Sequence, residues 1–585
     1  MCGIAGIVGR PPEDPTCIDR MVDILRHRGP DDRGVWRSGN AHIGHRRLSI
    51  LDLSEAGRQP MVLGDLVLTY NGEIYNFQEL RRRFEGPYQS NTDSEVLLHA
   101  YRGLGPDCLH ELNGMFAFAV WDEAERRLFA ARDRLGIKPL YYRPFEGGLA
   151  FASEILPLLE LGPAELDDEA LTEYLNWGWV PTPKTPWRGV YKLPAGEYLT
   201  WQDGDLRLQH YWTPAGGERT EDPDEALQQL DDLLRRLVTE HTLADVPVGI
   251  FLSGGVDSAT VTSYVENART YTLGQPQRGR DEAPAARRVA EHLGTEHHEE
   301  IVDLPELDQA VDTIIETFGE PFGDSAAVSV WMVSRMARRH VTVALSGEGG
   351  DEAFCGYRWY GRAMREGSSL LHRLVAPLTP MISRTGRSMR RRAAEGLERW
   401  AAFVGPFSPW QTRSLLGERL AAAEHDFLAF ARHHWRPELE FEQRLQWIDM
   451  HTYLPDGLLT KVDRASMAHS LEVRPPLLDH RLVEWAFACA PGLKWNPTTD
   501  QGKHLLRCLM RDRLPPGHLD RPKRGFNLAI RDWSKKQPDI LQSALRRLDR
   551  EGLIRSRRIV SLTHEQIWTL VVLDRWLTRH VPSYG

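Results

Sequence analysis

A cysteine follows the initiator methionine directly, and removal of Met1 would leave Cys2 with a free α-amine. Such an amine has an unperturbed pKa of ~7.7–8.0, so one residue would supply both a thiol nucleophile and its general base. An N-terminal cysteine alone is weak evidence, and its neighbours add to it. Gly3-Ile-Ala-Gly-Ile-Val8 reads as a strand whose two glycines give a reaction centre close access to backbone. His27-Arg-Gly-Pro-Asp-Asp-Arg-Gly34 reads as a tight polar turn. Arg46-Arg47 offers a guanidinium that can fork onto a carboxylate. Tyr70-Asn-Gly-Glu-Ile-Tyr-Asn76 places the Asn71 amide and the Gly72 N–H at an expected turn, and these are the donor types of an oxyanion hole.

A second constellation lies in the other half. Val246–Leu252 reads as a strand, Ser253-Gly-Gly-Val-Asp-Ser258 as a glycine-rich loop, and the residues after it as a helix. That order aims backbone N–H groups and a helix N-terminus at a phosphate. The loop is neither a Walker A motif nor the GxGxxG dinucleotide fingerprint. Asp257 has the oxygen donors that Mg²⁺ prefers. Leu345-Ser-Gly-Glu-Gly-Gly-Asp-Glu352 also follows a strand-like run. Ligands of open α/β sheets gather at the carboxyl ends of strands, so Asp351 of this loop is expected to complete a Mg²⁺ shell with Asp257.

The elements that must position these residues differ between the halves. Residues 1–212 carry short β-like runs (Gly3–Val8, Leu66–Tyr70, Met115–Trp121, Leu128–Ala131, Leu140–Arg143, Leu149–Ala152) with turn signals at Asn71-Gly72, Gly147-Gly148 and Pro194-Ala195-Gly196, and a helical pattern over Asp93–Gly103. This is an α+β layered pattern. Residues 213–224, polar and acid-rich, read as a linker. From 225 to 585, helix and strand first alternate: helices Glu225–Leu243, Ser258–Asn267 and Ala283–Leu293, strands Pro247–Leu252, Thr270–Leu273 and His340–Leu345. The alternation predicts a parallel, doubly wound sheet, followed beyond Tyr360 by a helical part. Arg387 and Arg390–Arg392 read as a solvated helix face, and Trp177, Trp179 and Trp187 as core or interface anchors.

Composition narrows the classes. The 585 residues are 41% hydrophobic and 26% charged, a globular balance. A net charge of −10 disfavours a general grip on nucleic acid. Apolar runs fall far short of the ~20 residues of a membrane span, and the N-terminus has no secretory pattern. Cys2, Cys17, Cys108, Cys355, Cys489 and Cys508 are scattered without CxxC pairs, which points to a reducing, cytoplasmic compartment. A homodimer is the default expectation for assembly.

The N-terminal segments, together with Asn91-Thr-Asp-Ser-Glu95, Glu111–Phe118, Ala131–Tyr141 and Phe151-Ala-Ser-Glu154, resemble the glutaminase domain of class II glutamine amidotransferases. The resemblance implies an N-terminal nucleophile hydrolase fold, an αββα sandwich. By that resemblance Cys2 attacks the glutamine side-chain amide, releasing ammonia through a γ-glutamyl thioester. Asn71 and Gly72 hold the oxyanion, Arg47 the α-carboxylate, and Glu73 and Asp93 the α-ammonium. On spacing alone, Arg47 and Asp93 would equally suit an ordinary surface ion pair.

Ser253–Ser258 resembles the SGGxDS loop of ATP pyrophosphatases, and its pairing with the Ser346–Asp351 loop resembles asparagine synthetases. That family implies ATP as substrate, with Leu252, Ser253, Gly254, Gly255, Asp257, Ser258, Leu273, Ser346 and Gly347 around the nucleotide and Asp257 and Asp351 on Mg²⁺. It also implies that Glu348 handles the ammonia; the bland reading of Glu348 is a carboxylate at a helix N-terminus. Leu454–Asp479 matches the same family, with Lys461 and Arg464 as candidates for neutralising phosphate and Asp463 and Glu472 as their ion-pair partners or as solvated charges. His469 reads as a packing residue.

The match departs from the family in three places. Glu320–Val328 offers Asp324 and Ser325 but no arginine for a second carboxylate, Pro475-Pro476 stands where Val-Pro is usual, and Cys355 replaces a common glycine. Three readings follow: synthesis of asparagine from aspartate, amidation of another carboxylate (a sugar acid, peptide or natural-product intermediate), or a non-catalytic scaffold. Two separate sites also require an enclosed route for ammonia, expected to be lined mainly by apolar and small residues. Asn71→Ala is expected to lower glutamine hydrolysis on the order of 10²–10³-fold, and near-normal turnover would remove Asn71 from the oxyanion role.

Overall fold

The computed structural model describes all residues except 1, 11–13, 215–218, 275–280, 303, 366–369, 380–381, 423–425, 497, 500, 522–537 and 585. The first half is built on twelve strands: β1 (Gly3–Gly9), β2 (Asp32–Arg37), β3 (Ala41–Arg47), β4 (Met61–Leu63), β5 (Leu66–Ile74), β6 (Gly114–Asp122), β7 (Arg127–Arg132), β8 (Tyr141–Phe145), β9 (Gly148–Ala152), β10 (Tyr191–Lys192), β11 (Glu197–Gln202) and β12 (Asp205–His210). They form two six-stranded sheets, in the orders β10-β8-β9-β1-β3-β2 and β12-β11-β7-β6-β5-β4.

Both faces of each sheet are covered, and the period of two explains how. Along β6, Ala117, Ala119 and Trp121 enter the core between the sheets with Ile4, Val8 and Ile43 of the other sheet. Phe116, Phe118 and Val120 point the opposite way, onto Val96, Leu97 and Ala100 of the helix Asp93–Leu104. On the far side of the other sheet, Ala5 and Ile7 meet Ile18, Met21 and Val22 of the helix Cys17–Ile24. The layers are therefore helix, sheet, sheet, helix, as the N-terminal nucleophile hydrolase resemblance implies.

The second half begins with the helix Pro223–His241, two residues earlier than its periodicity suggests. Asp222 explains the shift: its side chain accepts from the N–H groups of Asp224 and Glu225, and Pro223 occupies the first helical position. Five parallel strands follow: β13 (Val248–Phe251), β14 (Arg269–Gly274), β15 (Glu296–Ile301), β16 (Val343–Leu345) and β17 (Glu472–Arg474), ordered β15-β14-β13-β16-β17. The chain runs outward from β13 to β15, then returns to the other side of β13 for β16. The crevice at the carboxyl ends of β13 and β16 is thus the topological switch point. Ile250 pairs with Leu345, so the loops after these two strands leave the sheet side by side.

A single apolar cluster runs from the outer face of β1 through Trp177 and Trp179 into the C-terminal helices at Trp331, Trp400, Trp568 and Trp576. Trp177 lies 5.2 Å from Trp400 and 5.1 Å from Phe430, ring centre to ring centre, and Trp187 lies 5.5 Å from Trp576. These tryptophans are the interface anchors that their residue type predicts. The arginines near 390 are less solvated than charge alone predicts: Arg387 donates to Gly405 O at 2.8 Å, and Arg391 lies over the Phe403 ring. No helix among the described residues is long and apolar enough to cross a membrane. Trp177→Ala should cost about 3–5 kcal/mol, read as a lower denaturant midpoint by circular dichroism; an unchanged midpoint would remove Trp177 as an anchor.

Candidate active site

Cys2 sits where the two antiparallel sheets of the first half meet. Gly3 pairs with Arg46 across β1 and β3, which brings Cys2 beside Arg47. The Cys2 backbone N–H donates to Asn71 Oδ1 at 2.8 Å, from β1's sheet to β5 of the other. With Oδ1 so engaged, Asn71 Nδ2 is buried without a protein partner, an amide donor left for a ligand oxygen. Cys2, Arg47, Gly72, Glu73 and Asp93 line one pocket with Gln59 and Tyr70. Burial pushes the Cys2 thiol up, so it needs a base to become a nucleophile.

Asn71-Gly72 is not a turn. Both residues lie inside β5, paired with Ala117 and Phe116 of β6. Gly72 is there because a Cβ would come within 2.3 Å of Met115 O and 2.7 Å of Phe116 Cα, not because the chain reverses. Likewise the polar segment 27–34 already joins β2 at Asp32.

Arg47 and Asp93 are buried and do not form a surface ion pair. The Arg47 guanidinium donates to Ser54 O at 2.8 Å and to the carbonyls of Leu51 and Asp52, which fix its orientation. Asp93 Oδ2 accepts from Tyr70 Oη at 2.6 Å and Ile74 N at 3.0 Å; burial raises its pKa while these bonds lower it. Glu73 is engaged by a residue of the other half: its Oε2 accepts from Arg474 Nη2 at 2.9 Å, while Oε1 is buried without a protein partner.

At the switch point the two nucleotide-side loops are pressed together. A Cβ on Gly347 would lie 2.6 Å from Ser258 N, and one on Gly350 2.4 Å from Asp257 Oδ1. Gly254 takes the left-handed conformation (φ +71°) that turns the Ser253–Ser258 loop, and Ser253 N donates to Ser258 Oγ at 3.2 Å. Leu252 follows β13 directly and Leu273 is the penultimate residue of β14, and both side chains are buried in apolar clusters. Ser346 Oγ is buried without a protein partner.

Asp257 and Asp351 come together around one cation. Lys503 Nζ contacts Asp257 Oδ2 and lies 2.7 Å from Asp351 Oδ1. Burial works to lower the Lys503 pKa, but the two carboxylates hold it above the usual lysine range. No motif in the sequence singled out Lys503; only the folding back of Lys503 N onto Phe354 O, at 2.8 Å, brings it to the loops. Cys355, in place of the family's glycine, adopts φ +54°, the backbone region that favours glycine there.

The helix Thr460–Met467 sorts the remaining cations. Lys461 Nζ pairs with Asp324 Oδ2 at 2.8 Å and faces Glu348, whose carboxyl burial raises and Lys461 pulls down. Arg464 turns instead toward the first half, with Nη1 2.7 Å from Glu154 Oε1 and its guanidinium over the Tyr141 ring. It lies at the seam, where the buried Glu154 charge of the other half faces it. Asp463 and Glu472 do not serve Lys461 or Arg464 as ion-pair partners. Asp463 receives both Nη groups of Arg28 at 2.8 and 2.9 Å, and Glu472 Oε1 accepts from Arg474 Nε at 2.6 Å. Arg28 Nε also donates to Cys2 O at 3.1 Å. His469 packs against the Trp331 ring at 4.4 Å, as expected of it.

A cavity at the seam is lined by Ile137 and Lys138 of the first half and by Glu348, Leu459, Val462, Asp463, Val473 and Pro475 of the second. Its lining mixes apolar side chains with Lys138, Asp463 and Glu348. Burial lowers the Lys138 pKa to about 8.

Residues 1–212 match the family model described as a glutamine amidotransferase domain, and residues 229–578 match the one described as asparagine synthase. The chain is 32% identical to glutamine-hydrolyzing asparagine synthetase 1 of Bacillus subtilis, over 98% of this chain and 96% of that protein. It is 31% identical to asparagine synthetase 3 of the same organism, over 89% of this chain and 86% of that protein. Asparagine synthetase B of Escherichia coli is 34% identical over 62% of this chain and 66% of its own length. With both halves matched in chain order, each bearing its own site, the chain belongs to the glutamine-hydrolysing asparagine synthetase family.

Proposed function

We propose that this chain makes asparagine from aspartate, taking nitrogen from glutamine and activating the aspartate carboxyl with ATP, with release of glutamate, AMP and pyrophosphate. The observation that carries the reading is the contact of the Asp257 and Asp351 loops at the switch point, in a chain whose other half carries the Cys2 pocket.

In the first half, Cys2 freed of Met1 uses its α-amine as base and attacks the glutamine amide. Asn71 Nδ2 and the Gly72 N–H receive the negative charge of the tetrahedral intermediate. Arg47 holds the α-carboxylate, while Asp93 and the unpartnered Oε1 of Glu73 hold the α-ammonium. Water then cleaves the thioester.

In the second half, the Ser253–Ser258 loop and the Ser346–Gly347 turn hold ATP, and Lys503 neutralises pyrophosphate oxygens. Asp257 and Asp351 are suited to hold Mg²⁺, since two carboxylates completed by substrate phosphates are its usual oxygen set; when bound it would draw charge from those phosphates. Asp324 and Lys461, opposite charges 2.8 Å apart beside Glu348, suit the ammonium and carboxylate of an amino acid acceptor. Lys461 thus supplies the cation that Glu320–Val328 lacks. Glu348, whose carboxylate burial makes more basic while Lys461 pulls the other way, removes the proton from ammonia as it adds to the acyl-adenylate. All six cysteines are free thiols, which suits the cytoplasm.

Exchange of labelled pyrophosphate into ATP is expected with aspartate and absent without an acid; exchange with a different carboxylate only would transfer the reading to that acceptor. Glu348→Ala should abolish amide formation and spare glutamine hydrolysis, and full synthesis by this variant would refute its assignment. Lys503→Ala should slow the exchange on the order of 10²-fold with glutamine hydrolysis near normal; equal exchange would show that Lys503 has no part in handling pyrophosphate.

A further inference from the structure

Arg474 belongs to the parallel sheet of the second half, yet its side chain reaches Glu73, which lines the Cys2 pocket of the first. It is the last residue of β17, paired with Leu345 of β16, and its carbonyl accepts from Ser346 N at 3.0 Å. Its backbone is therefore stitched to the strand that opens the Ser346–Asp351 loop. Its side chain is fully buried. The guanidinium is held on three sides: Nε by Glu472 Oε1 at 2.6 Å, and Nη1 by His241 O at 2.9 Å and Leu243 O at 2.7 Å. The remaining Nη2 donates to Glu73 Oε2 at 2.9 Å. A guanidinium so fixed presents its Nη2 in one direction.

The partner of that donor is a pocket carboxylate. Glu73 lines the cavity with Cys2, Arg47 and Asp93, and its Oε1 is buried without a protein partner. An ionised carboxylate in such a place needs a counter-charge. Burial, with the acidic Asp93 and Glu472 that face it, holds the Glu73 pKa well above the usual carboxylate range, and Arg474 is the counter-charge that pulls it back down. A neutral Glu73 could not act as counter-ion to an α-ammonium. A Glu73 free to rotate would waste affinity on ordering itself.

We propose that Arg474 is a positioning residue for glutamine: its charged hydrogen bond to Oε2 supplies the counter-charge of Glu73 and orients it so that Oε1 receives the α-ammonium of the substrate. The assignment rests on the amidotransferase reading above and adds to it a residue of the opposite domain. Two consequences distinguish it from a merely structural role. Loss of Arg474 weakens glutamine binding more than it slows the turnover of bound glutamine, because Glu73 does not touch the reacting amide. A lysine in its place, still cationic though unable to fork, recovers part of the loss.

The test is glutamine binding by calorimetry, with steady-state glutamine hydrolysis, on the full chain carrying Arg474→Gln, Arg474→Lys or Glu73→Gln. Arg474→Gln is expected to raise both Kd and KM for glutamine on the order of tenfold with a smaller change in kcat, and Arg474→Lys to lie between it and the unsubstituted chain. Glu73→Gln, which preserves shape and removes the charge, should raise Kd to a similar degree; this keeps the proposal exposed if Arg474→Gln does not fold. Unchanged Kd in Arg474→Gln or in Glu73→Gln overturns the proposal, as does a fall in kcat alone. An unsubstituted chain that binds glutamine but forms no AMP with any acid overturns the proposed function and leaves the Arg474 ratio standing. One that binds no glutamine overturns both.

Discussion

The guanidinium of Arg28 donates to both oxygens of Asp463 across the seam between the halves, and through Nε to the carbonyl of Cys2, with all three residues buried. Charges taken out of water in this way contribute little net stability, because desolvation offsets much of their attraction. Separating them is another matter, since a buried charge left alone costs about 3–5 kcal/mol. The seam is therefore permissive of one alignment and hostile to neighbouring ones. The nucleophile's own backbone is part of that alignment, so the position of Cys2 depends on a helix far along the chain.

The same reasoning connects the other seam pairs. Glu154 gathers Arg28 and Arg464, and Lys192 pairs with Glu320 at 2.9 Å, each an ion pair excluded from solvent. Apolar surface surrounds them, with Trp177, Trp187 and their aromatic partners closing the interface at a distance. A route for uncharged ammonia needs dry walls, and the price of dry walls is that every charge near them has to be matched. In the seam cavity Lys138 is tolerated beside Ile137 and Val462 because Asp463 and Glu472 lie within its field.

How much of this could be read from the sequence depended on how local the cause was. The layered first half and the parallel sheet of the second were legible, because period-two runs and strand–loop–helix order are local patterns. The loops at Ser253–Ser258 and Ser346–Asp351 were legible for the same reason, and their neighbours follow from strand order. Asn71-Gly72 misled, since the same dipeptide serves a tight turn and a place where one strand's backbone presses on another. Charged residues were the least legible. Arg464 and Lys461, three apart on one helix, face different domains, and nothing in their spacing says which. Lys503 reaches Asp257 and Asp351 only through tertiary folding, and the partners of Asp463 and Glu472 lie hundreds of positions away or on an edge strand.

That edge strand has a consequence for biosynthesis. β17 is the outermost member of its sheet and is separated from β16 by the long helical excursion that begins after Leu345. A ribosome that has completed the twelve-stranded half has yet to make Asp463 and Arg474, so the arginine behind Cys2 and the carboxylate of Glu73 both await their counter-charges. The glutamine-splitting half is thus finished by the half that consumes its product, and a nascent fragment is poorly equipped to squander nitrogen before there is anything to receive it.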